Sequence, residues 1–150
     1  MHQRRSKIRK HLAAELTPSG IPLFIRSLEA TKNQLKKAED WAKEKNVPLE
    51  KILESKLAED MLPFTFQVQS ASNAAKFVPV RAGGIANQAW EDNEKTFPEL
   101  YERIDKTLKF LRDAKPGIFE GKEEAEVVMR QGTPNERRVR LLPPMAVGSR

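Results

Sequence analysis

Histidine and cysteine carry much of the metal and nucleophile chemistry of proteins, and this chain of 150 residues has two of the first and none of the second. A zinc or nickel site needs three or four His, Cys or carboxylate groups converging on one point. His2 and His11 stand nine residues apart in a basic N-terminal stretch, which is not a helical ligand spacing. No metal and no other cofactor is expected. A second set of polar residues is better placed: Gln67, Ser70 and Asn73 recur at spacing three, and Asp60 precedes them. Lying along one edge of an apolar stripe, they could form a polar cleft that holds a small ligand by hydrogen bonds. They could equally pair across the core with Thr31 or Tyr101, since buried polar atoms need partners.

The remaining candidates read as structure. Asp60, with Glu59 beside it, is expected to cap a helix N-terminus, where a negative charge favours the helix dipole. Ser70 and Ser72 have no histidine to act as base, so a hydrolase triad is unsupported. Gly83-Gly84 lacks the lysine and spacing of a phosphate-binding loop. Trp41, Trp90, Phe64, Phe97 and Tyr101 fall at core or helix-boundary positions and are expected to pack. No residue is assigned as catalytic, and the chain reads as non-enzymatic.

The elements that would position these residues are helices. Thr17 to Pro22 is expected to form a turn that opens one, because proline in a first helical turn gives up only an N–H that has no partner anyway. Phe24, Leu28, Thr31, Leu35, Ala38 and Ala42 then alternate steps of four and three, one face of a long amphipathic helix ending near Asn46. Trp41 and Ile25 widen that stripe. Pro48 opens a short helix through Leu53. Phe64, Val68, Ala71, Ala75 and Val78 mark a second long helix beginning after Asp60, and Pro79 should kink or end it. Phe97, Leu100, Tyr101, Ile104, Leu108 and Leu111 mark a third, from Thr96 to Ala114. Ala125 to Met129 and Arg138 to Leu142 alternate like strands about a turn at Gly132 to Asn135.

Three long amphipathic helices without a partner sheet must bury their stripes on one another. The fold class is all-α: an up-down helical bundle of three long helices with a short C-terminal β-hairpin, one helix short of four. The length suits one domain. Three regions follow: a basic, disordered extension over 1–17, a bundle domain over 18–129 and a basic tail over 130–150. The net charge of +6 sits on the ends. Residues 1–16 and 130–150 each carry +4, so the body between them carries −2. A nucleic-acid-binding fold would more often place a basic stripe on its body, so nucleic acid is disfavoured as a partner. No apolar run approaches the length of roughly 18 residues that crosses a bilayer.

Four segments taken together resemble a known family: Pro22 to Leu28 (PLFIRSL), Leu57 to Met61 (LAEDM), Gln67 to Lys76 (QVQSASNAAK) and Thr96 to Leu100 (TFPEL). In that order and spacing the chain resembles a domain-of-unknown-function family related to the DinB/YfiT-like bundles, over residues 18 to 129. The resemblance implies an up-down-down-up four-helix bundle, often dimeric, in a superfamily of metal-dependent hydrolases and thiol transferases that use three histidines. This chain departs from that pattern twice. Gln67, Ser70 and Asn73 stand where the second helix of relatives supplies a ligand histidine, and the closing His-containing helix is missing. A truncated or degenerate member is one reading. The other is a protein-association or structural module, forming a homo-oligomer or meeting a protein partner through an uncovered apolar groove. The cysteine-free composition fits the cytoplasm, and the basic segment 1–16 gives mitochondrial import as the alternative.

Overall fold

The computed structural model describes residues 2–119, 121–122, 126–129 and 133–140. Its elements, in chain order, are α1 (His2–Glu44), α2 (Leu49–Leu53), α3 (Phe64–Arg81), α4 (Phe97–Asp113), a 3₁₀ turn (Pro116–Phe119), β1 (Glu126–Met129) and β2 (Arg137–Arg140). Each of the three long helices packs on the other two. The chain is mostly helical, with one antiparallel hairpin that pairs Val127 with Val139 and Met129 with Arg137.

The apolar periodicity explains the packing. On α1, Ile21, Leu28, Leu35 and Ala42 are buried at spacing seven, and Phe24 and Ile25 pack beside them. Trp41, expected in the core, is 50% exposed. It precedes Ala42 by one residue, and one step around a helix turns a side chain through about 100°. On α3, Val68 and Ala75 are buried while Ala71 is exposed, and Ser72 joins the buried side. On α4, Phe97, Leu100, Ile104, Leu108 and Leu111 form the central face of the core.

The helix ends follow from local chemistry. α1 closes in a Schellman motif: Asn46 takes the left-handed conformation (φ 54°), Val47 N–H donates to the Ala42 carbonyl and Asn46 N–H to that of Lys43. The turn expected at Thr17 to Pro22 is corrected, because α1 runs through it. Proline has no N–H, so α1 forgoes one intrahelical hydrogen bond at each of Pro18 and Pro22. Asp60 is likewise not a helix cap. It lies exposed in a turn, and α3 starts at Phe64 after Pro63, whose backbone is extended. The α2–α3 connection is held instead by Phe64 N–H on the Ser55 carbonyl and the Thr65 hydroxyl on the Leu53 carbonyl.

α3 continues two residues past Pro79 before ending at Arg81. Gly83 follows in a site where any Cβ would stand 2.5 Å from the Pro79 carbonyl oxygen and 2.6 Å from Ile118 Cδ1. α4 begins with a full capping box: the Thr96 hydroxyl accepts from Glu99 N–H, and the Glu99 carboxylate accepts from Thr96 N–H. Thr96→Ala should cost about 1 kcal/mol of folding stability. Urea denaturation would register it as a lower midpoint with unchanged slope.

Candidate functional site

The sequence-expected cleft residues do not gather at one point. Asp60 is exposed in its turn, Ser70 is exposed on α3, and Gln67 is exposed and donates to the Leu62 carbonyl near the start of its own helix. Asn73 alone enters a polar cluster, through Asp92 and Arg103. Nor do Thr31 and Tyr101 serve as cross-core partners of these groups. Thr31 bonds the Ser27 carbonyl of its own helix, and the Tyr101 hydroxyl donates to Glu39 on α1 at 2.8 Å.

The polar cluster that does form lies one helical step away, between α3, α4 and the irregular connector 82–96. Its centre is Arg103, only 4% exposed although it stands on the apolar face of α4. Arg103 Nη1 donates to the Glu94 carboxylate at 2.7 Å and the Glu91 carbonyl at 3.1 Å. Nη2 reaches Asp92 at 2.5 Å and Asn73 Oδ1 at 2.9 Å. Gln69 donates to the other oxygen of Glu94, and Asn73 to both oxygens of Asp92. Below them the hydroxyls of Ser72 and Thr107 meet at 2.6 Å, with Thr107 also on the Arg103 carbonyl.

A second cation completes the cluster. Lys76, 3% exposed, donates to the Gln88 carbonyl and sits 4.7 Å from the Trp90 ring centre and 4.9 Å from that of Phe77. Burial pulls its ammonium below the usual lysine range, and the charge of Arg103 acts in the same direction. Lys106 also lies over Trp90, at 4.7 Å, and the indole meets Phe110 edge-on. An open cleft of about 610 Å³ lies outside this connector, edged by Trp90, Glu91, Glu94, Glu102, Arg103 and Lys106 among others.

This cluster was partly legible. Arg103 interrupts the Leu100, Ile104, Thr107, Leu108 face at core spacing, and Glu91 to Glu94 supplies three acids just upstream. A charge at a core position signals a partner, because an unpaired buried charge is too costly to keep.

Away from the cluster, Tyr101 and Glu39 tie α4 to α1. Hydrogen bonds from Lys43 and then Tyr101 hold the Glu39 carboxyl below its ordinary range. Burial, and then Glu39, pushes the Tyr101 phenol well above its own. A raised phenol pKa contributes stability that is complete below the ordinary value of about 10 and shrinks as pH rises beyond it. Tyr101 is the only tyrosine in the chain. Tyr101→Phe should therefore cost about 1–2 kcal/mol near neutrality, and the gap to wild type should narrow in urea titrations above pH of about 10.

The described residues do not fit a three-ligand metal centre. Among them, no group of three or more His, Cys, Asp or Glu could hold a metal ion. The two converging carboxylates, Asp92 and Glu94, are both paired with the guanidinium of Arg103. Nor, among the described residues, is any helix long and apolar enough to cross a membrane.

Fold and site together define a mostly helical domain whose buried polar cluster fastens an irregular connector to two helices. The chain belongs to the family described as Domain of unknown function (DUF1993), which matches residues 16–142. It is also similar to a solved structure, a DinB family member protein from Shewanella denitrificans, with 25% sequence identity and a TM-score of 0.75. That likeness covers 86% of this chain and 74% of the other. A search of curated proteins found no match.

Proposed function

We propose that this chain is a non-catalytic helical module that acts by association, with a second copy of itself as the first partner. The observation that supports this is an exposed apolar set around the α2–α3 connection: Leu57 is 93% exposed, Leu62 51%, Phe66 39% and Met61 36%. Four large apolar side chains within ten residues exceed the scattered singles of an ordinary surface. In contrast, Asp92, Glu94, Arg103 and Lys76 are engaged with one another or with backbone, so none of these four stands poised as a catalytic acid or base. At roughly 25 cal/mol per Å² of apolar surface, covering that set would offset part of the cost of association. Light scattering behind size exclusion tests the reading. A dimer that becomes monomeric in Leu62→Glu/Phe66→Glu is expected, and a stable wild-type monomer at high concentration would refute it.

The alternative is a truncated or degenerate member of a metal-dependent hydrolase/transferase-like superfamily, a reading that rests on the resemblance to the DinB/YfiT-like bundles. Elemental analysis of the purified protein distinguishes the two, since stoichiometric zinc or nickel would support the alternative. Within the proposed reading, residues 1–17 and 130–150 are basic extensions around the bundle domain of 18–129. We assign the cytoplasm as compartment, with import into mitochondria through 1–16 as the competing possibility. Fluorescent fusions with and without that segment separate them.

A further inference from the structure

Two buried cations share the groove between α3 and α4, and the chain itself fills it. Lys76 and Arg103 rise from adjacent helices among the buried neutral groups Gln69, Ser72 and Thr107. Buried cations require anionic or carbonyl partners. Among the described residues the anionic ones come from the connector, as Asp92 and Glu94, with the carbonyls of Gln88 and Glu91 beside them. That connector spans 82–96 without regular structure, and irregular connections of this length in small domains are uncommon outside functional loops.

The fit between connector and groove is incomplete. Arg103 Nε–H is buried and has no hydrogen-bond partner among the described residues. A guanidinium binds a carboxylate through two parallel N–H groups, and the Nε and Nη2 pair is one such edge. The connector reaches Nη1 and Nη2 from separate residues and leaves Nε bare. Lys76 likewise meets a carbonyl and aromatic faces where a carboxylate would pair with it better.

We propose that the α3–α4 groove floored by Arg103 and Lys76 is a binding site for a small dicarboxylate, and that Asp92 and Glu94 occupy it as an intramolecular stand-in. A ligand that pairs with Nε and Nη2 of Arg103 by one carboxylate and with Lys76 by the other displaces the connector. Gln69 and Asn73 supply amide donors to the remaining oxygens. The open cleft outside carries Glu91, Glu94, Glu99 and Glu102 against Arg103 and Lys106, so it repels an anion, and entry follows lifting of the connector. In wild type the apparent affinity is reduced by the small fraction of molecules with the connector lifted.

Two measurements test this. With succinate as probe, amide hydrogen exchange of wild type is compared with sodium chloride at matched ionic strength. Faster exchange of the hydrogen-bonded connector amides of Gly84, Ile85 and Lys95, by about tenfold, with the body of α4 unchanged is expected if the ligand takes the place of the connector. Identical exchange in the two salts overturns the proposal. Asp92→Asn/Glu94→Gln keeps the connector's shape and removes its charge. Its affinity for succinate by calorimetry should exceed that of wild type at least about tenfold, as the lifted fraction rises. A folded double variant that does not bind succinate also overturns the proposal. If that variant fails to fold, the wild-type exchange measurement decides alone. Neither result depends on the oligomeric state.

Discussion

Replacing Arg103 by methionine is expected to destabilise the fold by about 3–5 kcal/mol. Methionine retains the apolar stem on the face of α4 but removes the guanidinium that meets Asp92 and Glu94. Glu94 has a side chain only 12% exposed, so it cannot recover full hydration when its partner is lost. Removing one member of a buried pair leaves the other as an uncompensated charge, which is why the cost exceeds the roughly 0–1 kcal/mol of a surface ion pair. Urea denaturation followed by far-ultraviolet circular dichroism gives the difference. Adding Glu94→Gln should return part of the loss, because the orphaned charge goes with it. A change below about 1 kcal/mol for Arg103→Met would show that the cluster behaves as solvated surface.

Leu100→Ala is expected to cost about 2–5 kcal/mol. Leu100 is fully buried on α4, the helix that contacts both α1 and α3. Its truncation loses transfer free energy and leaves a cavity that three helices, packed on one another, cannot easily close. Leu23→Ala is the control. That side chain is 55% exposed, and exposed substitutions stay within about 0.5 kcal/mol. Equal effects at the two positions would mean that α4 does not occupy the centre of the core.

Different physics governed what could be read before the structure. Apolar spacing is local, and a helix repeats every 3.6 residues whatever it packs on. Leu28, Leu35, Val68, Ala75, Leu100, Ile104 and Leu111 therefore announce their buried faces directly. The capping threonine before α4, the short helix after Pro48 and the hairpin of β1 and β2 are equally local. Helix starts are less certain where proline and acid compete. Asp60 has the chemistry of a cap, yet Pro63 sets the backbone that begins α3. The polar edge of α3 was harder still. Gln67, Ser70 and Asn73 share a spacing, but which edge turns inward depends on the neighbour, and α4 and the connector engage Gln69, Ser72, Asn73 and Lys76.

By itself, then, the sequence determined a mostly helical bundle of three long amphipathic helices with a terminal hairpin, because apolar periodicity is a property of neighbouring residues. Tertiary structure alone decided that Arg103 and Lys76 are buried side by side, that Asp92 and Glu94 close over Arg103, and that Trp41 and Leu57 face outward. Those outcomes depend on pairings between residues far apart in the chain. Burial makes each pairing obligatory, since a charge removed from water must find its partner wherever the fold brings one.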